Sequence, residues 1–70
     1  MDTEIKSLQP HQQRVVDEKA ELDERLLKLR GFFNTDTFRA LAVEEHDRLF
    51  RQANAMDAYS VVLGERIAAF

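Results

Sequence analysis

Residues 49–70, LFRQANAMDAYSVVLGERIAAF, place Leu49, Ala53, Met56, Ser60, Leu63, Ile67 and Phe70 at alternating gaps of four and three. Side chains so spaced fall on one stripe of an α-helix, the stripe that packs against another helix. Residues 8–33 repeat the rule with Leu8, Gln12, Val15, Lys19, Leu22, Leu26, Leu29 and Phe33. Two long helices with facing stripes, joined by a short connection, define an all-α antiparallel helical hairpin.

The chain reads as a single domain, 1–70, in four parts. Residues 1–8 carry no strong period and form a frayed lead-in. Helix one runs over 10–30, opened by Pro10, whose missing N–H suits a first helical turn. Gly31 is placed to close it in the left-handed conformation, with Lys28 and Arg30 complementing the negative end of the dipole. The connection spans 31–42: Phe32 and Phe33 fold over the end of the bundle, and Thr35 or Asp36 caps a short helical turn holding Phe38 and Leu41. Helix two covers 43–70, starting at Val43 or Glu44 with Glu44 and Glu45 in its first turn and overhanging helix one. Gly64 lies inside it, where glycine costs up to about 1 kcal/mol relative to alanine, so a neighbouring helix is expected to approach there.

Val16, Ala20 and Leu27 widen the apolar stripe of helix one, and Phe50, Ala55, Tyr59, Val61, Val62, Ala68 and Ala69 widen that of helix two. One hairpin interface cannot cover them all. At ~25 cal/mol per Å² of wet apolar surface, the surplus favours a second copy. A chain of 70 residues is small enough for its core to be marginal. It has no cysteine, so disulfides cannot help. The expected partner is therefore the chain itself, a homo-oligomer of two copies or more built on a four-helix bundle.

The balance of charge excludes several classes. Net charge is −3, and five bases match five acids between Pro10 and Arg30, so the basic footprint of a DNA-binding protein is missing. No apolar run approaches the ~18 residues of a membrane span, and the opening MDTEIKSLQP has no signal core. The expectation is a protein of the cytoplasm. His11 and His46, 35 residues apart, make a poor metal cage, and neither has a nearby nucleophile. No metal, no cofactor and no catalytic residue is assigned, and an enzyme is the least expected class.

Four residues are candidates for ligand binding, each with a plainer account. Lys19 interrupts an apolar stripe: it snorkels or fixes register, or it is a cation held in a groove between copies. Arg14 pairs with Glu18 four residues on, or joins Lys19 on an anion such as a phosphate. Tyr59 and Arg66 flank the last helix beside Val62 and belong to its packing, or stack a purine and fork a phosphate. The acids Asp17, Glu18, Glu21, Asp23 and Glu24 read as a solvated face.

The opening PHQQRVVDEKAELDERLLKL and the pattern Gln52, Met56, Tyr59, Leu63, Arg66, Ile67, Phe70 resemble a family of short helical proteins of tailed bacteriophages, the crAss-like phages among them. The likeness covers about residues 9 to 70. Family members usually carry a proline near the start of the long helix, where Ala42 and Val43 stand here. The resemblance implies a phage accessory protein made in the cytoplasm of an infected bacterium. By analogy with small oligomers that inhibit host defence, it implies an anti-defence sponge that binds a cyclic oligonucleotide or a cyclic ADP-ribose type messenger without cleaving it. Arg14, Lys19 and Arg66 would hold phosphates and Tyr59 a base. Two readings stand beside it: a protein-binding inhibitor or adaptor using an amphipathic helix face, and a purely structural bundle.

Overall fold

A computed structural model describes residues 8–70. Helix α1 spans Pro10–Phe32, the short α2 spans Asp36–Arg39, and α3 spans Val43–Ala68. The lead-in expected over 1–8 lies outside the described residues except for Leu8. α1 and α3 pack along their length as the all-α hairpin that the two stripes require. They run antiparallel: Lys19 meets Ser60, and Phe33, further along the chain from α1, meets Phe50, earlier on α3.

The centre of the interface is Val15, Leu22 and Leu63, with Met56 and Ile67 against them. Leu26 and Ala53 are buried as well, and Leu63 is 0% exposed. All seven belong to the stripes. Gln12, an apparent polar intruder in the first stripe, acts locally instead. Its Oε1 accepts the N–H of Gln9 at 2.9 Å, satisfying a donor at the start of α1.

Gly31 does not end α1. No glycine among the described residues has positive φ, and the helix continues to Phe32 with Phe33 as its right-handed cap. The N–H groups of Phe33, Asn34 and Thr35 donate to the carbonyls three residues back, a tightened last turn that satisfies those carbonyls without a left-handed residue. The aromatic rings favour this ending. Phe33 lies 5.0 Å from Phe38 and 4.9 Å from Phe50 between ring centroids, and Phe32 lies 5.8 Å from Phe38, so one more helical turn carries both phenylalanines into a cluster at the closed end.

The connection contains the short helix expected of it. Thr35 Oγ1 accepts the Phe38 N–H at 3.1 Å and donates to the Phe32 carbonyl at 2.7 Å, capping α2 and tying it to α1. Phe38 is buried within α2, while Leu41 lies just beyond its cap, Ala40. The His46 ring stacks on Phe38 with centroids 4.3 Å apart, and its Nε2–H donates to the Phe38 carbonyl at 2.7 Å. α3 starts at Val43 with Glu44 and Glu45 in its first turn, and ends at Ala68 with Ala69 as cap, leaving Phe70 outside it.

Candidate functional site

The polar residues that sequence places in the two stripes meet in space. Lys19 Nζ lies 2.7 Å from Asp23 Oδ2, one turn along α1, and donates across the interface to Ser60 Oγ at 3.1 Å. Ser60 donates in turn to Asp23 Oδ1. Ser60 is buried, while the side chains of Lys19 and Asp23 are 30% and 45% exposed. The Lys19 ammonium first, and the Ser60 hydroxyl after it, hold the Asp23 carboxyl below the usual carboxylate range, against the opposing pull of desolvation.

The neighbour that approaches Gly64 is the Lys19 stem. A Cβ built at Gly64 would stand 3.3 Å from Lys19 Cε. Glycine at this point leaves the lysine a path along the interface to Ser60.

Helical geometry sorts the other candidates. At about 100° per residue, Ser60 and Gly64 lie about 60° and 100° to one side of Leu63, whereas Tyr59, Arg66 and Val62 lie about 40°, 60° and 100° to the other. On α1, Lys19 and Asp23 fall about 60° and 100° to one side of Leu22, and Arg14 about 80° to the other. The Lys19–Ser60 contact fixes which sides coincide, and the Arg30–Asp57 ion pair at 3.2 Å lies on that same flank. Arg14, Tyr59 and Arg66 therefore share one flank of the hairpin, and Lys19 belongs to the opposite one. Arg14, near the start of α1, and Arg66, near the end of α3, occupy the same open end.

Within one chain, then, three of the four candidates share a flank and the fourth does not. Tyr59 is 43% exposed, and Arg14 and Arg66 are exposed. The described ion pairs within α1 are Lys19–Asp23, Arg25–Glu21 and Lys28–Glu24; Arg14 and Glu18 do not close the pair that their spacing allows. Ser60 and Asp23 were not among the candidates read from sequence. The available signal was a polar residue in each of two stripes that have to face one another.

Within the chain this arrangement ties the two helices together: Ser60 and Lys19 of facing helices both bond to the Asp23 carboxylate, which their donors keep charged. Among the described residues no three His, Cys, Asp or Glu gather as a metal site, no pocket is enclosed, and no helix is long and apolar enough to cross a membrane. The hairpin is 55 Å long and 18 by 16 Å across.

The fold defines an all-α helical-hairpin protein whose candidate binding residues are distributed over its two flanks. The chain belongs to the Sequestin family, whose model matches residues 9–69, and the family's name points to a binding protein rather than an enzyme. No curated protein and no solved structure matches it.

Proposed function

We propose that this protein sequesters a nucleotide immune signal, a cyclic oligonucleotide or a molecule of the cyclic ADP-ribose type, without cleaving it, and that it does so as a phage anti-defence protein in the cytoplasm of an infected bacterium. The observation that carries the reading is the shared flank of Arg14, Tyr59 and Arg66, an aromatic ring and two guanidinium groups along one side of a hairpin in a family named for sequestration. Guanidinium groups fork phosphate oxygens and an aromatic ring stacks a base.

Copies of the chain complete the site in this reading. Leu27 is 72% exposed, and Val61, Val62 and Phe50 are about half exposed, apolar surface that gains from being covered by a second copy. Two-fold packing buries it and sets the Lys19 flank of one copy near the Arg66 flank of another, forming grooves that no single hairpin has.

The test is calorimetry and thermal shift with a panel of cyclic dinucleotides, cyclic trinucleotides and cyclic ADP-ribose isomers, followed by heating and mass analysis of the released ligand. Stoichiometric uptake and intact release are expected; silence across the panel ends the proposal. The same exposed apolar residues favour one rival, an inhibitor or adaptor that lays α3 against a host or phage protein. That rival predicts a single protein recovered at fixed stoichiometry and no small ligand.

A further inference from the structure

We propose that Lys19 and Ser60 are the donors of a phosphate-binding site that the chain's own Asp23 carboxylate fills until a phosphate group displaces it. This deepens the function proposed above and rests on its premise that the ligand carries phosphate.

The inference starts from what each partner is free to do. Asp23 presents one carboxylate oxygen to the Lys19 ammonium and the other to the Ser60 hydroxyl. Two adjacent oxygens, each taken by its own donor, form the same edge that a phosphate offers. The two donors are the less exposed partners. Ser60 is buried on α3, and Lys19, 30% exposed, runs its stem past Gly64 to reach it. The acceptor is the most exposed of the three: Asp23 is 45% exposed and turns into water by rotation about its own side-chain bonds. Donors set at the helix interface beside a replaceable acid constitute an anion site with a built-in competitor.

The surrounding charge agrees. Asp57, the next acid on this flank of α3, is paired with Arg30, so Asp23 is the carboxylate that an incoming phosphate confronts. An internal carboxylate of this kind sets a threshold. A singly charged anion gains too little from Lys19 and Ser60 to displace it, whereas a ligand with several phosphate charges, anchored elsewhere as well, does so.

The experiment uses the full chain and inorganic pyrophosphate at low salt. Nuclear magnetic resonance follows the Asp23 side-chain carboxyl carbon and the Lys19 ammonium during titration of the wild-type protein, a readout that depends on no variant folding. Both signals are expected to move together and saturate. Asp23→Asn should tighten pyrophosphate binding at least about fivefold, the effect of removing one like charge at contact distance in a well-solvated site. Ser60→Ala and Lys19→Met should each weaken it by at least a similar factor, with circular dichroism confirming the helices. An Asp23 carboxyl signal that stays still at saturation, or an Asp23→Asn variant that binds no more tightly, overturns the proposal. If pyrophosphate displaces Asp23 but no cyclic nucleotide binds, the site stands and the sequestration reading falls. If a cyclic nucleotide binds without moving Lys19 or Asp23, the reading stands and this site falls.

Discussion

Lys19 lies across Gly64, its Cε 3.3 Å from where a side chain at that position would begin, and the contact links a costly glycine in one helix to a misplaced charge in the other. Alanine at 64 gains about 1 kcal/mol of helix propensity, but its methyl group presses on the lysine stem and draws the ammonium away from Ser60. Gly64→Ala should therefore stabilise the wild-type chain by well under that amount. In a Lys19→Ala background the full gain should return. A double-mutant cycle by chemical denaturation checks this, with a coupling of roughly 0.5 kcal/mol or more expected for residues in contact. Additive effects would mean that Gly64 does not serve Lys19.

The polar cluster also gives stability a pH dependence of definite sign. Asp23 has a lowered carboxyl pKa in the folded chain because Lys19 and then Ser60 favour its charged form. A group lowered on folding contributes stability that is fully present above its unfolded value, about 3.9, and is lost as pH falls through the lower folded value. Asp23→Asn removes that contribution at every pH. The melting temperature of the wild type should exceed that of Asp23→Asn at pH 6, and the gap should shrink steadily below about pH 4. A gap that grows on acidification contradicts the assignment.

The stripes carried the fold because periodicity needs only the spacing of residues along one helix. Val15, Leu22, Leu26, Ala53 and Leu63 are all buried where the spacing puts them. Gly31 misled for a physical reason: a glycine permits a left-handed stop but does not compel one, and the rings of Phe32 and Phe33 gain more by following another turn toward Phe38 and Phe50. The Lys19–Ser60 bond was hidden for a different reason. Each residue is visible as a polar member of its own stripe, yet their meeting depends on the antiparallel register, a property of two helices that neither sequence segment contains. The division of Arg14, Tyr59 and Arg66 from Lys19 depends on the same register.

At the closed end, the four residues of α2 are too few to hold a helix by themselves, and His46 supplies part of what they lack through its stack on Phe38 and its bond to the Phe38 carbonyl. His46→Ala should cost roughly 1 kcal/mol, or about 4–8 °C in melting temperature for a chain of this size. Amide exchange should rise first between Asp36 and Leu41, before α1 and α3 change. Uniform acceleration along the whole chain would show instead that the connection and the hairpin open as one unit. Phe38→Ala, which removes the buried ring itself, should cost about 3 kcal/mol or more.

The proposed capture assigns a part to each flank, and variants tell the two apart. Tyr59 and Arg66 are exposed, and Arg66 forms no ion pair among the described residues, so Tyr59→Ala and Arg66→Ala should leave the melting temperature of the hairpin within a few degrees of wild type. Loss of a stacked base is expected to weaken nucleotide capture by about 1–3 kcal/mol, and loss of a charged hydrogen bond by a similar amount. Lys19→Leu tests the other flank. Replacing Lys19 gives up its pairing with Asp23, a part-exposed pair of modest worth, but leucine fits the apolar stripe and its burial offsets that loss, so this variant should fold about as stably as wild type or more so. A purely structural lysine predicts no further effect. Where the flanks of two copies combine around one ligand, Lys19→Leu must lower capture while stability holds, and mixing it with Arg66→Ala should restore a fraction of the sites, because some grooves in the mixed assembly then draw an intact flank from each variant. Calorimetric stoichiometry of the mixture measures that fraction; a mixture no more active than either variant alone would place the whole site within a single hairpin.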